Sequence, residues 1–228
     1  MAQPVFVLVH GAWHGSWCWR DLGLELDARG VTWRAVDLPS SKPETQPTVG
    51  LADDVSAVLD ACVGLESVVL VGHSYGGTVI TEAAPGVAGL ECLIYIAALI
   101  PLVGESTTDA VQSVKVRTRL DDAIRVQGQL LVLDEQLAPN ALYNDCTKDD
   151  ASRAVKQLTT QTLQSFRNVR TQHSVEATSV YIACANDRAV DPDVQALMAS
   201  RCNEILTLKS DHSPFLSHPK LLADALLT

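Results

Sequence analysis

Gly72-His73-Ser74-Tyr75-Gly76-Gly77 follows the apolar run at residues 67–71 and leads into a helical pattern. A serine with glycine two residues before and two after it, at a turn from strand to helix, has the form of a nucleophile elbow. The reason is steric. The serine sits on a strained turn, so residues at those spacings must lack bulk, and Gly72 and Gly76 do. Gly77 leaves further room for close helix–strand packing. Such a turn lifts the hydroxyl above the sheet at the start of a helix, where the helix dipole favours negative charge. The Tyr75 amide then points to where an oxyanion would form.

Outward from the elbow, strand and helix patterns alternate. Val5-Phe6-Val7-Leu8-Val9-His10 is continuous, short and β-branched, as expected of a strand buried on both faces. A helical stretch over residues 16–29 ends at Gly30, and residues 32–36 form a second strand closed by Asp37-Leu38-Pro39. Residues 40–50, with Pro43 and Pro47, read as a loop. In residues 51–62, Leu51, Val55, Val58, Leu59 and Cys62 recur at helix spacing. Further strands are expected at 92–98, 179–185 and 205–208, and a last helix begins near His218. This alternation implies a mostly parallel sheet of about six strands with helices on both faces.

Residues 101–170 break the rhythm. The interval is too long for an ordinary loop, holds no convincing strand pair and is patterned mostly as helix. The expected organisation is one domain, with a core from residues 1–100 and 171–228 and a helical cap insertion at 101–170 over the carboxyl edge of the sheet.

A serine hydroxyl needs a base to attack at neutral pH. In this kind of elbow the chain order is serine, acid, histidine, which leaves His173, His212 and His218. His212 lies just after the last strand, on a loop that can return toward the elbow, and is favoured. His218 stands beside Pro219 at a helix start, and His173 precedes a strand at its wrong end. The acid is expected on the loop after the fifth strand, where Asp187 lies; Asp191, beside Pro192, looks more like a turn or helix N-cap. Asp211 adjoins the base in sequence, a poor position from which to orient it. The acid's task is to hold the imidazole tautomer and stabilise the imidazolium.

His10-Gly11-Ala12-Trp13-His14-Gly15 leaves the first strand and can place a second amide beside the elbow. Ala12 is the expected donor, paired with Tyr75. His10 and His14 stand at i, i+4, which suits metal ligation only on a helix, and this is a glycine-broken loop. His10 is expected to be a structural hydrogen-bonding residue. Trp13 and His14 either touch substrate or support the loop. No metal site is expected.

The formal net charge is −10, which disfavours nucleic acid and anionic lipid surfaces as partners. The acidic pairs Asp53-Asp54, Asp121-Asp122 and Asp149-Asp150 are scattered and read as solvated helix surface. With 47% hydrophobic residues the chain can bury a sizeable core, yet no apolar stretch approaches a membrane span. Met1-Ala2-Gln3-Pro4 carries no targeting pattern, so a cytoplasmic location is expected. The six cysteines, without C-x-x-C spacing, read as free and mostly buried thiols.

His10-Gly11-Ala12-Trp13-His14-Gly15-Ser16-Trp17-Cys18-Trp19, the Gly72–Gly77 elbow and Asp211-His212-Ser213-Pro214-Phe215 together resemble the α/β-hydrolase branch that contains plant methylesterases, the salicylate-binding esterase, hydroxynitrile lyases and related bacterial hydrolases. In the insertion the resemblance is loose, around Tyr143-Asn144-Asp145-Cys146. The resemblance implies an α/β-hydrolase fold with a small helical cap, and hydrolysis of a small carboxylic ester without a cofactor. The lyases of this branch carry threonine after the His-Gly pair and lysine after the catalytic histidine; here these positions are Ala12 and Ser213. That favours an esterase over a lyase acting in the same pocket, and over a ligand sensor that kept the three residues. Apolar insertion residues, Tyr143 and Phe166 among them, suggest an apolar substrate pocket. A homodimer is the default for oligomeric state.

Overall fold

Along β1 (Val5–Val9), Phe6 and Leu8 turn to one face of the sheet while Val7 and Val9 turn to the other, and each pair enters a different hydrophobic core. The same alternation runs through β3 (Val68–His73), every residue of which is buried. Burial of one such aliphatic side chain is worth ~1.5–3 kcal/mol, which is why these runs read as continuous rather than alternating hydrophobicity. The computed structural model describes residues 3–42, 46–173 and 175–228. Met1, Ala2 and Pro43 of the sequence reading lie outside the described residues.

Six strands form one parallel sheet in the order β2-β1-β3-β4-β8-β9, with β2 at Trp33–Val36, β4 at Leu90–Ile96, β8 at Thr178–Cys184 and β9 at Glu204–Leu208. The core on one face packs against α1 (Arg20–Ala28), α10 (Pro214–Ser217) and α11 (Pro219–Leu226) through Leu22, Leu26, Phe215 and Leu222. The core on the other face packs against α2 (Leu51–Cys62), α3 (Tyr75–Ala83) and α9 (Pro192–Ala199) through Val58, Val79 and Met198. The chain leaves β1 toward one edge and returns on its other side as β3. The order of strands therefore reverses between β1 and β3, and ligands of such sheets bind in the crevice at the carboxyl ends of the strands flanking that point.

The expectation that residues 101–170 hold no strand pair is corrected. They contain four short helices before Gln161, α4 (Thr107–Gln112), α5 (Arg119–Ala123), α6 (Ala138–Leu142) and α7 (Lys148–Val155), and then α8 (Leu163–Arg167). They also contain a three-stranded antiparallel sheet of β5 (Ile124–Gln127), β6 (Leu130–Leu133) and β7 (Gln161–Thr162). Gly128 and Gln129 close the β5–β6 hairpin, with Gly128 at φ 63°. A two-residue loop with glycine at positive φ matches the twist of a hairpin, and that signal was readable in the sequence. Residues 16–29 also divide, into a 3₁₀ turn at Ser16–Trp19 followed by α1. No helix among the described residues is long and apolar enough to cross a membrane.

Three histidines around the front of the sheet are buried, and among the described residues their ring nitrogens have no carboxylate hydrogen-bond partner. Burial pushes His10 down to about 4 and His14 down to about 3, and lowers His73 well below the usual imidazole range. Between pH 6.5, the ordinary histidine value, and these lowered values, the unfolded chain binds protons that the native chain refuses. Stability therefore falls as pH is lowered through that window. Asp54 opposes it: burial raises its carboxyl to about 6, so from there down to its ordinary value of 3.8 the native state holds the extra proton. Three imidazoles act against one carboxyl, so the net effect of acid is destabilising. We expect Tm, followed by circular dichroism, to drop by roughly 10 °C or more between about pH 7 and about pH 4.5. A flat Tm across that range would show that these rings are protonated in the native state.

Candidate active site

The elbow departs from ordinary backbone at one residue. Ser74 has φ 52° and ψ −120°, a region that costs a non-glycine residue ~1–3 kcal/mol. The surroundings hold it there. Its N–H donates to the Ile96 carbonyl at 3.1 Å, and its carbonyl accepts from Gly77 N and Leu99 N, both at 3.0 Å. A Cβ on Gly72 would lie 2.7 Å from the Gly76 oxygen, and one on Gly76 would strike the Val9 and His10 carbonyls. The absence of side chains at these positions lets α3 begin against the end of β1. Gly11, on the loop after β1, faces the serine so closely that a Cβ there would be 2.9 Å from Ser74 Cβ.

The residues expected as acid and base follow β8 and β9, beyond β4 in the sheet. Asp187 follows β8, and its Oδ1 accepts from Ala189 N at 2.7 Å and Val190 N at 3.0 Å. Its Oδ2 accepts from His212 Nδ1 at 2.8 Å and from Gln195 Nε2 at 3.2 Å. This carboxylate side chain is fully buried. A carboxylate acceptor fixes the imidazole proton on Nδ1 and leaves Nε2 as the basic atom of a neutral ring. His73, next to the serine, donates from Nε2 to the His212 carbonyl at 2.8 Å, with the two rings 4.5 Å apart. That bond draws the base loop onto the elbow. Ser74 is 8% exposed and His212 2%, so both side chains are buried. Ser74 Oγ takes no part in these hydrogen bonds; hydroxyl–imidazole contacts commonly tighten only when substrate binds.

The alternative acids have other duties. Asp191 caps α9, accepting from Asp193 N at 2.9 Å. Asp211 accepts from Ser213 N at 3.1 Å, Ser217 Oγ at 2.7 Å and, across from the insertion, Asp145 N at 2.9 Å. His218 stands at the start of α11 with its ring on Ser217 Oγ. His10 receives the Leu38 N–H on Nε2 at 3.0 Å, a structural bond.

The backbone N–H groups of Ala12 and Tyr75 find no acceptor among the described residues. For Tyr75 this follows from its place as the first residue of α3, since a helix leaves its leading amides unpaired. Both donors sit beside the elbow, Ala12 through the Gly11 contact and Tyr75 as the residue after Ser74.

Trp13, His14, Tyr143 and Phe166, the candidate substrate contacts, join the β1 loop and the elbow to the insertion. Trp13 Nε1 donates to the Leu131 carbonyl at 3.1 Å, and His14 Nε2 pairs with the Tyr143 hydroxyl at 2.8 Å. Phe166 stacks on Tyr75 at 5.3 Å and tilts against Trp13 at 6.2 Å. Beneath them runs a buried polar chain that patterning did not reveal. The expectation of a solvated Asp54 is corrected: it is wholly buried and accepts from Tyr75 Oη at 2.7 Å, Ser40 Oγ at 2.6 Å and Ser40 N at 2.9 Å. Burial raises the Tyr75 phenol as well, so it stays a donor. Asp54 lies on the face of α2 that carries Val58 and Leu51, and that spacing was its only available signal. Gln195, which holds the Asp187 loop, carries no signal in the sequence.

Residues 6–225 match the model of the alpha/beta hydrolase family. Among curated proteins, the chain is 32% identical to an alpha/beta hydrolase, nvfD, of Aspergillus novofumigatus, covering 97% of this chain and 94% of that one. It is 29% identical to methylesterase 7 of Arabidopsis thaliana, over 99% and 95% of the two chains. Among solved structures, a methylesterase from Arabidopsis aligns with TM-score 0.81 and 26% identity over 98% and 97% of the chains. A pyrethroid hydrolase from Sphingobium faniae JZ-2 aligns with TM-score 0.87 over 99% and 96%, at 23% identity, a likeness of fold. With the six-stranded parallel sheet and the elbow at its switch point, these matches make the chain a member of the alpha/beta hydrolase family.

Proposed function

We propose that this chain cleaves a small carboxylic ester through an acyl-enzyme intermediate, with Ser74 as nucleophile, His212 as base and Asp187 as the acid that orients it. The observation that carries the reading is the 2.8 Å bond from His212 Nδ1 to the buried Asp187 carboxylate, on a loop tied to the residue beside a strained serine. His212 Nε2 takes the Ser74 proton as Oγ attacks the ester carbonyl carbon. The carbonyl oxygen becomes an oxyanion held by the Ala12 and Tyr75 amides. The tetrahedral species collapses, the C–O bond to the alcohol breaks, and the leaving alkoxide takes the proton from His212. Water, deprotonated by the same ring, releases the acid and restores Ser74. Asp187 stays ionised and stabilises the imidazolium throughout.

The esterase names of the relatives support the choice of reaction. The insertion, acting as a cap over the carboxyl ends of the strands, sets substrate size, and its apolar side chains favour an apolar acyl or alcohol group. The cysteines are free thiols, three buried and three half-buried, which suits the reducing cytoplasm in which we place the reaction.

Ser74→Ala should lower hydrolysis of p-nitrophenyl acetate by at least about 10³-fold. Asp187→Asn, which leaves His212 with the wrong tautomer, should lower kcat by about 10²–10⁴-fold with little change in KM. Initial rates on both purified variants check this. Turnover by Ser74→Ala at the wild-type level would overturn the reading, and release of cyanide from a cyanohydrin by the wild type would favour lyase chemistry.

A further inference from the structure

Gln161, on β7 of the insertion, is fully buried and uses all four of its amide's hydrogen-bonding positions. Nε2 donates to Ser40 Oγ at 2.8 Å and to Ser165 Oγ at 2.6 Å. Oε1 accepts from Trp13 N at 3.3 Å and from Ser41 Oγ. The orientation of the amide is dictated by its partners. Ser40 gives its own proton to Asp54, and Ser165 gives its proton to the Thr162 carbonyl, so both need a donor. The Trp13 N–H can only donate and needs an acceptor.

These contacts reach both oxyanion amides. On one side, Trp13 follows Ala12 directly and stands at φ 63°, a left-handed conformation rare for a bulky residue. It is gripped at both ends by the insertion: its N–H by Gln161, and its carbonyl by Thr159 N at 2.8 Å. On the other side, Ser40 passes the hold to Asp54, and Asp54 fixes the hydroxyl of Tyr75, whose own N–H is the second amide. One side chain thus holds the β1 loop directly and reaches Tyr75, the residue after the elbow serine, through Ser40 and Asp54.

We propose that Gln161 is a positioning residue for that site: it keeps Trp13 in its left-handed turn and, through Ser40 and Asp54, holds Tyr75, so that the Ala12 and Tyr75 amides converge on one oxygen. This rests on the serine-hydrolase reading above. Gln161 touches no reacting atom. Its effect is confined to the step in which negative charge develops, because a ground-state carbonyl gains little from two convergent donors and an oxyanion gains much.

The test is Gln161→Ala, with Gln161→Glu as a variant of nearly equal volume that keeps the acceptor to Trp13 and loses both donors to Ser40 and Ser165. For each, thermal unfolding establishes the folded fraction. Kinetics on p-nitrophenyl acetate give kcat and KM, and a trifluoromethyl ketone, whose adduct with serine carries the oxyanion, gives Ki. Folded Gln161→Ala should lose about tenfold to a hundredfold in kcat with KM within about twofold, and Ki should rise by the same factor as kcat/KM falls. Gln161→Glu should show the same parallel change at smaller size, and it decides the matter alone if the alanine variant does not fold. A folded variant with wild-type kcat, or one in which KM rises while Ki is unchanged, overturns the proposal. Ser74→Ala, assayed alongside, separates the two claims. If it is inactive while the Gln161 variants behave as wild type, only this inference fails; if it remains active, the underlying reading fails with it.

Discussion

The start of α3 lies against the end of β1 with only backbone between them. At Gly76 there is no space for a methyl group beside the Val9 and His10 carbonyls, and at Gly11 none beside Ser74 and His73. This close approach forces the turn at Ser74 into positive φ and brings the Ala12 loop against the serine. It also seats the unpaired N–H at the head of α3 at the crevice where the strand order reverses. Packing of two apolar cores on the sheet supplies the stability that keeps a strained residue in place.

Around that contact, the sheet and the insertion divide the work. The ends of β3, β8 and β9 present Ser74, Asp187 and His212, and the loops between them are joined by short hydrogen bonds. The insertion contributes anchors: Leu131 to Trp13, Tyr143 to His14, Asp145 to Asp211 and Gln161 to Ser40. Those bonds fasten the insertion to the loops that carry the site residues, and the three histidines that burial keeps uncharged add no competing positive charge near His212. In such surroundings the Asp187 carboxylate acts on the imidazole with little screening.

The strands, the elbow and the pairing of Asp187 with His212 were legible in the sequence because each has a local signature: a β-branched run, glycines at fixed offsets, a polar residue just past a strand end. The parallel order followed from alternation. What escaped was of two kinds. The apolar residues of the β5–β6 hairpin, three leucines, two valines and an isoleucine, fit a helix as readily as a strand, and Gly128 with Gln129 is the punctuation that separates the two strands. Asp54, Gln161 and Gln195 were hidden for a different reason. Their importance lies in partners more than a hundred residues away in the case of Gln161, and a buried polar residue has no periodicity to distinguish it from a solvated one until its hydrogen bonds are seen. Trp13 and His14, open to either role in the sequence, place Nε1 and Nε2 respectively on the insertion residues Leu131 and Tyr143.

The central claim is that the hydroxyl at the elbow is the group that becomes acylated. Treating the purified chain with a fluorophosphonate and mapping the label by peptide mass spectrometry tests it without any knowledge of the natural substrate. A single adduct on the peptide carrying Ser74, formed about a hundredfold or more slowly in Asp187→Asn, is the predicted outcome. An unlabelled Ser74 peptide, or label on another serine at equal yield, would contradict it.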